Sequence, residues 1–185
     1  MSERLASLEA IHAALWRELA HAVGDSAHGW RTPVLATVAD GAEGPRADAR
    51  TVVLREVHPV PRELWFYTDA RSPKVRQLAA RPHATLVMWC AALGWQLRCS
   101  VTLTLIDSGP ARAERWERIR LSPAAQDYLS PLAPGSALDV PAVAVDRDHF
   151  AIVTAAVQAI DWLELHPQGH RRAQFDGIEG RWVQP

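Results

Sequence analysis

The stretch WQLRCSVTLTLI, residues 95–106, alternates apolar and polar side chains along nearly its whole length. The odd-numbered positions from Trp95 to Leu105 are apolar, and the even-numbered positions from Gln96 to Thr104 are polar. Because successive side chains of a β-strand point to opposite faces, this pattern predicts a long strand with one face in a core and the other outside it.

Further strand patterns lie on both sides of this segment. They cover residues 34–39, 49–57, 64–68 and 84–91 before it, and residues 150–165, 171–175 and 181–183 after it. Residues 40–44, DGAEG, predict a hairpin turn between the first two. Six to eight antiparallel strands make a mainly β fold with flanking helices, and closure of the sheet into a barrel would remove its exposed edges.

Three helical patterns accompany the strands. Apolar residues recur at helical spacing in residues 3–23, which predicts one amphipathic N-terminal helix. Ser72 as N-cap and Pro82 as a stop bound a short predicted helix over residues 72–81, and helical patterning returns over residues 110–120. No linker or repeat interrupts the 185 residues, so we expect one domain spanning residues 1–185.

Composition narrows the class of protein. Lys and Arg number 20 against 21 Asp and Glu, and this balance gives no indication of a nucleic-acid partner. No apolar run approaches the length of about 18 residues that spans a membrane, and the N-terminus has no secretion signal. These features predict no membrane partner and a cytoplasmic location. The sequence has no CxxC or HExxH motif, so no metal site is expected.

Cationic and hydroxyl residues collect at the predicted strand ends. Arg50 and Arg55 bracket an apolar strand segment, and a second group follows the third strand, consisting of Tyr67, Thr68, Ser72 and Lys74. An arginine fork, a lysine charge, hydroxyl donors and a helix start together suit a dianionic phosphate. The alternative is that the arginines are solvated strand ends and Ser72 is only a helix cap.

The spacing of the two arginines adds a condition. Arg50 and Arg55 are five positions apart, so a regular strand would point them to opposite faces. Both can meet one ligand only if the strand bulges or if the ligand wraps around its end.

In this order, the motifs resemble the pyridoxamine 5′-phosphate oxidase-like FMN-binding split barrels over about residues 30–185. The family strand Arg-x-Val-Leu-Leu-Lys is similar to Arg50–Arg55, with Arg55 in the place of the lysine. The family element Tyr-Thr-x-x-x-Ser-Arg-Lys is similar to residues 67–74. Gln96 matches a family glutamine, and Trp162 and Arg172 match a tryptophan and an arginine with the same spacing.

The resemblance implies an antiparallel FMN-binding split β-barrel that works as a homodimer, with the flavin at the subunit interface. Arg50, Ser72 and Lys74 would hold the FMN phosphate, and Tyr67 and Thr68 would add polar contacts. Gln96, Trp162 and Arg172 would border the isoalloxazine ring. The rest of the first motif would also lie against the cofactor, namely Thr51, Val52, Val53, Leu54 and Arg55.

The positions that grip substrate in the true oxidases are altered here. A tyrosine, an arginine and a serine of the family correspond to Trp116, Arg120 and Ala124, and a substrate arginine becomes Gln168. His170 matches the family histidine and is the only candidate general base with a positional argument. We therefore expect an FMN-dependent oxidoreductase with a small organic substrate other than vitamin B6 phosphate.

Two alternatives stay open. An altered substrate pocket is also what a non-catalytic flavin-binding or flavin-storage module would have. The same barrel could instead carry a deazaflavin or haem.

Overall fold

The computed structural model describes residues 4–138 and 147–185. Nine antiparallel strands dominate this part of the chain: β1 Val34–Gly41, β2 Gly44–Thr51, β3 Leu54–His58, β4 Glu63–Asp69, β5 His83–Cys90, β6 Trp95–Ile106, β7 Phe150–Glu164, β8 Arg171–Asp176 and β9 Glu179–Val183. The helices are α1 Leu8–Gly24, α2 Pro73–Ala80 and α3 Pro110–Ile119, with short 3₁₀ turns at Gly29–Arg31 and Pro123–Tyr128. The expected mainly β fold with flanking helices is confirmed.

The strands are hydrogen-bonded in the order β2-β1-β5-β6-β7-β4-β3, and β8 and β9 extend from β7. The strand β7 is long enough to pair with β6 along most of its length, with β4 at its start and with β8 at its end. The sheet has one strand more than expected because the predicted strand over residues 49–57 is two strands, β2 and β3.

The break between β2 and β3 falls at Val52 and Val53. The strand β2 pairs with β1 and the strand β3 pairs with β4, at opposite ends of the hydrogen-bonded order. No ladder links β2 to β3 in the described sheet, so the expected closure by hydrogen bonds is not found. Instead, the two ends of the sheet are joined by the chain itself. Only Val52 and Val53 separate β2, which pairs with β1 at one end, from β3, which pairs with β4 at the other.

The inner face of the sheet and the helix α1 form the main core. In β6 the side chains of Leu97, Cys99 and Val101 are buried, as the alternation predicts. The apolar face of α1 packs against β3 and β9. This helix begins later than the expected residues 3–23, of which residue 3 lies outside the described part. Ser7 is its N-cap and accepts a hydrogen bond from the Ala10 N–H at 3.2 Å.

The alternating side chains of β5 to β8 also define the opposite face of the sheet. We call it the outer face, and the members used below are Trp89, Gln96, Arg98, Asp161, Leu163, Arg172 and Gln174. None of the helices in the described ranges is long and apolar enough to cross a membrane.

Candidate functional site

A lysine and two buried hydroxyls meet where β4 runs into α2. Lys74 Nζ donates to Thr68 Oγ1 at 3.0 Å and to Ser72 Oγ at 3.3 Å, and the two hydroxyl oxygens are 3.1 Å apart. Ser72 occupies the N-cap position of α2, but within the described structure its side chain makes no cap hydrogen bond. The hydroxyl of Ser72 therefore faces Lys74 and Thr68 rather than the helix.

Arg50 approaches α2 from the strand β2. Its Nη1 donates to Thr37 Oγ1 at 2.6 Å, and its Nη2 donates to Gln77 Oε1 at 2.8 Å. Asp48 also contacts this guanidinium, with Oδ2 at 2.6 Å from Nη2. Thr37 lies opposite Asp48 in the β1–β2 register, and Gln77 lies one helical turn after Lys74. Strand register and helix spacing therefore hold Arg50 beside Lys74.

The two cations influence each other. Burial lowers the pKa of Lys74, the positive charge of Arg50 acts in the same direction, and Asp69 opposes both. Two neighbouring cations with buried hydroxyls form a site that an anion would stabilise. We call Arg50, Thr68, Ser72 and Lys74 the anion cradle. Its charges and donors fit the phosphate of FMN.

The rest of the first motif contributes backbone and core more than polar contacts. Thr51 ends β2, Val52 and Leu54 are buried, and Val53 lies in the break between the strands. The Val52 N–H donates to the Pro33 carbonyl at 2.9 Å, which fixes the chain as it leaves β2.

Arg55 makes no hydrogen bond to the anion cradle within the described residues. A register shift between Leu54 and Glu56 places Arg55 in a bulge, so the bulge that two converging arginines would require is present. The Arg55 guanidinium nevertheless lies 5.7 Å from the ring centre of Tyr67, while Arg50 contacts Thr37 and Gln77. Arg55 Nε is buried without a hydrogen-bond partner among the described residues.

Tyr67 belongs to a network that the sequence did not reveal. Its hydroxyl donates to Glu56 Oε1 at 2.9 Å, and Arg115 binds both oxygens of Glu56 at 2.9 Å. Hydrogen bonds from Arg115 lower the pKa of Glu56 to about 2 against the opposing effect of burial. Burial and the bond to Glu56 raise the pKa of Tyr67. The network attaches α3 to β3 and β4, and no local signal connects Glu56 to Arg115, which are 59 positions apart.

The residues expected at the isoalloxazine ring do not share one face. Gln96 and Arg172 lie on the outer face in one row, because each is paired with Leu163 of β7. Trp162 is fully buried, with its ring 5.4 Å from that of Trp95, so its side chain points into the core. Arg172 is held by Asp161, which contacts its Nη2 at 2.7 Å.

The expected substrate residues are dispersed. Trp116 packs against Phe150 with ring centres 5.7 Å apart, and Arg120 is exposed and bound to Glu117 at 2.7 Å. His170 is exposed, and its Nδ1 accepts the His166 N–H at 3.1 Å. Their roles at a substrate stay predictions.

One cluster in the described ranges has metal-ligand residue types, with ligand atoms of Glu18, His21 and His28 within 4.8 Å of one another. His28 Nδ1 accepts the Trp30 N–H at 3.1 Å, so in the neutral ring the proton is on Nε2. That atom faces Glu18 Oε2 at 3.5 Å. Since the Nδ1 lone pair is engaged by Trp30 and Nε2 carries the proton, the neutral ring of His28 has no lone pair directed at this cluster.

The comparisons with known proteins define the class. The family model described as pyridoxamine 5′-phosphate oxidase, FMN-binding domain, matches residues 13–107, just over half of the chain. The chain therefore belongs to this family.

Individual relatives show the same class. A pyridoxine/pyridoxamine 5′-phosphate oxidase of Thermosynechococcus vestitus is 43% identical over 79 residues, which are 43% of this chain but only 35% of that protein. A pyridoxamine 5′-phosphate oxidase-related, FMN binding protein of Nostoc punctiforme has a TM-score of 0.73 and 25% identity, with 99% of this chain and 100% of that chain covered.

More distant structures share the fold. PhzG of Burkholderia lata, in complex with tetrahydrophenazine-1-carboxylic acid, has a TM-score of 0.69 at 20% identity, covering 94% and 91% of the two chains. A heme binding protein of Mycobacterium smegmatis has a TM-score of 0.53 at 15% identity, covering 95% of this chain and 60% of that one. The split-barrel fold is thus confirmed, and its neighbours bind more than one kind of ligand.

The depressed pKa of Glu56 predicts a pH dependence of stability. Because the folded pKa of about 2 lies below the ordinary 4.5, Glu56 stabilises the fold above about pH 4.5, and this contribution is lost as the pH falls toward 2. Glu56→Gln should reduce the free energy of unfolding by about 1–2 kcal/mol at pH 7, allowing for partial exposure of the pair. In denaturant unfolding, the difference in the free energy of unfolding between Glu56→Gln and wild type should be smaller at pH 3 than at pH 7. Glu43→Gln, in an exposed turn, is the control, and an equal loss at both pH values would contradict the prediction.

Proposed function

We propose that this chain is an FMN-dependent oxidoreductase that acts as a homodimer on a small organic substrate other than pyridoxine 5′-phosphate. The observation that carries the proposal is the anion cradle, in which Arg50 and Lys74 lie beside the buried hydroxyls of Thr68 and Ser72. A family match alone would leave the cofactor open, whereas this donor set favours a phosphate ester.

The cradle residues would bind the FMN phosphate through charge-assisted hydrogen bonds. Gln96 and Arg172, on the outer face, would border the ring and orient it. When bound, FMN supplies hydride transfer chemistry, and the protein sets its position and electrostatic environment. A phosphate ester also fits the paired cations better than haem, which is the ligand of one distant neighbour.

The proposed flavin-binding residues lie on two opposite faces of the sheet, which supports a dimer. Arg50 contacts Thr37 on the buried face of β1, whereas Gln96 and Arg172 lie on the outer face. One flavin could reach both groups if a second copy supplies the outer face. That face also carries exposed apolar side chains, namely Trp89, 43% exposed, and Val34 of β1, which is paired with Val87 of β5 and is 40% exposed. A partner subunit would cover both.

The substrate proposal follows from the positions that correspond to substrate-binding residues of the oxidases. Arg120 is bound to Glu117 at the surface, and Ala124 has no donor where the oxidases have serine. Arg55 remains a cation with a buried, unpartnered Nε among the described residues. With Arg120 paired to a carboxylate, and with alanine and glutamine at positions 124 and 168, these positions offer too few donors to bind a substrate phosphate as the oxidases do.

The dispersed substrate residues also favour a second candidate, a flavin-binding module without turnover. Trp116 is packed into a cluster with Tyr128 and Phe150, and His170 is bonded to His166. Reduction of bound FMN by NAD(P)H followed by oxygen uptake would support the oxidoreductase. Retention of oxidised FMN under the same conditions would support the storage module.

The FMN-loaded protein should oxidise pyridoxine 5′-phosphate very slowly. Two or three lost contacts at about 1.5–3 kcal/mol each would lower kcat/KM by several orders of magnitude. Anaerobic mixing with excess substrate should leave the visible flavin absorbance unchanged, while dithionite bleaches it and oxygen restores it. Rapid bleaching with one equivalent of pyridoxal phosphate per flavin would show instead a divergent pyridoxine phosphate oxidase.

The FMN-loaded protein should also be a dimer in solution. Light scattering at micromolar concentration is expected to give twice the 20.4 kDa mass of one chain, because each flavin would need contacts from two copies. A mass of one chain with FMN fully bound would show that a single subunit completes the site.

A further inference from the structure

A carboxylate neutralises the arginine that would border the flavin. Asp161 binds Arg172 with both oxygens, accepting from Nε at 3.0 Å and from Nη2 at 2.7 Å. Gln174 Nε2 donates to the same carboxylate at 3.1 Å. Arg98 lies directly opposite Asp161 on β6, and Gln174 lies directly opposite it on β8. Asp161 is thus the centre of a charged row on the outer face.

The ion pair remains charged on both sides at neutral pH. Burial acts to raise the pKa of Asp161, but the hydrogen bonds from Arg172 and Gln174 outweigh it and hold that pKa below its usual value. The bond to Asp161 raises the pKa of Arg172. Seen from a ligand, the two side chains together carry no net charge.

The geometry leaves one direction of Arg172 available. Its Nε and Nη2 are occupied by Asp161, and no acceptor for Nη1 is found in the described ranges. Asp161 and Gln174 also line an open cavity of about 710 Å³ on the outer face, a volume in the range of small-molecule sites. A bidentate carboxylate fixes the plane of a guanidinium, so Asp161, which lines this cavity, also determines the orientation of Arg172 beside it.

We infer that Asp161 is a positioning residue that sets the charge and orientation which Arg172 presents to the flavin ring, and thereby holds down the reduction potential of bound FMN. The inference rests on the proposed function. Two-electron reduction of FMN adds negative charge to the ring, and an unpaired arginine would stabilise the reduced form. The paired arginine acts as a dipole and stabilises it less.

The test is the midpoint potential of bound FMN in four proteins: wild type, Asp161→Asn, Arg172→Ala and the double variant. Asp161→Asn keeps the side-chain shape and removes the negative charge, so reduced FMN should gain at least tenfold in affinity relative to oxidised FMN. For a two-electron couple this is a rise of about 30 mV. Arg172→Ala should shift the potential the opposite way, and the double variant should return near wild type.

Glu43→Gln is the control, since Glu43 lies in the exposed turn between β1 and β2 and is not among the residues that line the cavity. Its potential should stay close to that of wild type. If Asp161 had a merely structural role, both single variants would bind FMN more weakly, and their midpoint potentials would not move in opposite directions. FMN bound at one per chain with equal potentials in all variants would overturn this inference and leave the proposed function standing. No FMN binding by wild type would overturn both.

Discussion

The break at Val52 and Val53 is the constraint on which the site depends. The segment that contains it pairs with β1 before the break and with β4 after it, so it connects the two ends of the sheet. Because β1 and β4 are thereby held at fixed positions, Arg50 of β2 and Thr68 of β4 converge on the start of α2. If residues 49–57 formed one regular strand, either β1 or β4 would lose the strand with which it pairs.

The charged side chains differ between the anion cradle and the outer face. Arg50 is paired with Asp48, and the charge of Asp69 acts on Lys74, so a bound phosphate would add the further negative charge that completes the cradle. On the outer face Asp161 is paired with Arg172 and lies opposite Arg98. In the proposed function, the cradle would hold the phosphate of FMN and the paired Arg172 would border its ring.

Much of this could be predicted from the sequence. The alternation in residues 95–106 correctly predicted the buried side of β6, and the cations near residues 50 and 74 do come together. The contacts of Arg50 with Thr37 and Gln77 could have been found from strand register and helix spacing. Trp162 could not be placed, because β7 has apolar side chains on both faces near Trp162 and Leu163 and alternation does not distinguish them. The link between Glu56 and Arg115 is purely tertiary and leaves no local pattern.

The central claim is that the cradle holds the phosphate of FMN, and comparison of FMN with riboflavin measures it most directly. Flavin fluorescence titration of the wild type should show riboflavin binding at least about a hundredfold more weakly, since it lacks the charge-assisted contacts. Arg50→Ala should weaken FMN by roughly ten- to a hundredfold and leave riboflavin unchanged, while Arg120→Ala, at the surface, should alter neither. Equal affinities for FMN and riboflavin, or an effect of Arg120→Ala as large as that of Arg50→Ala, would contradict the account.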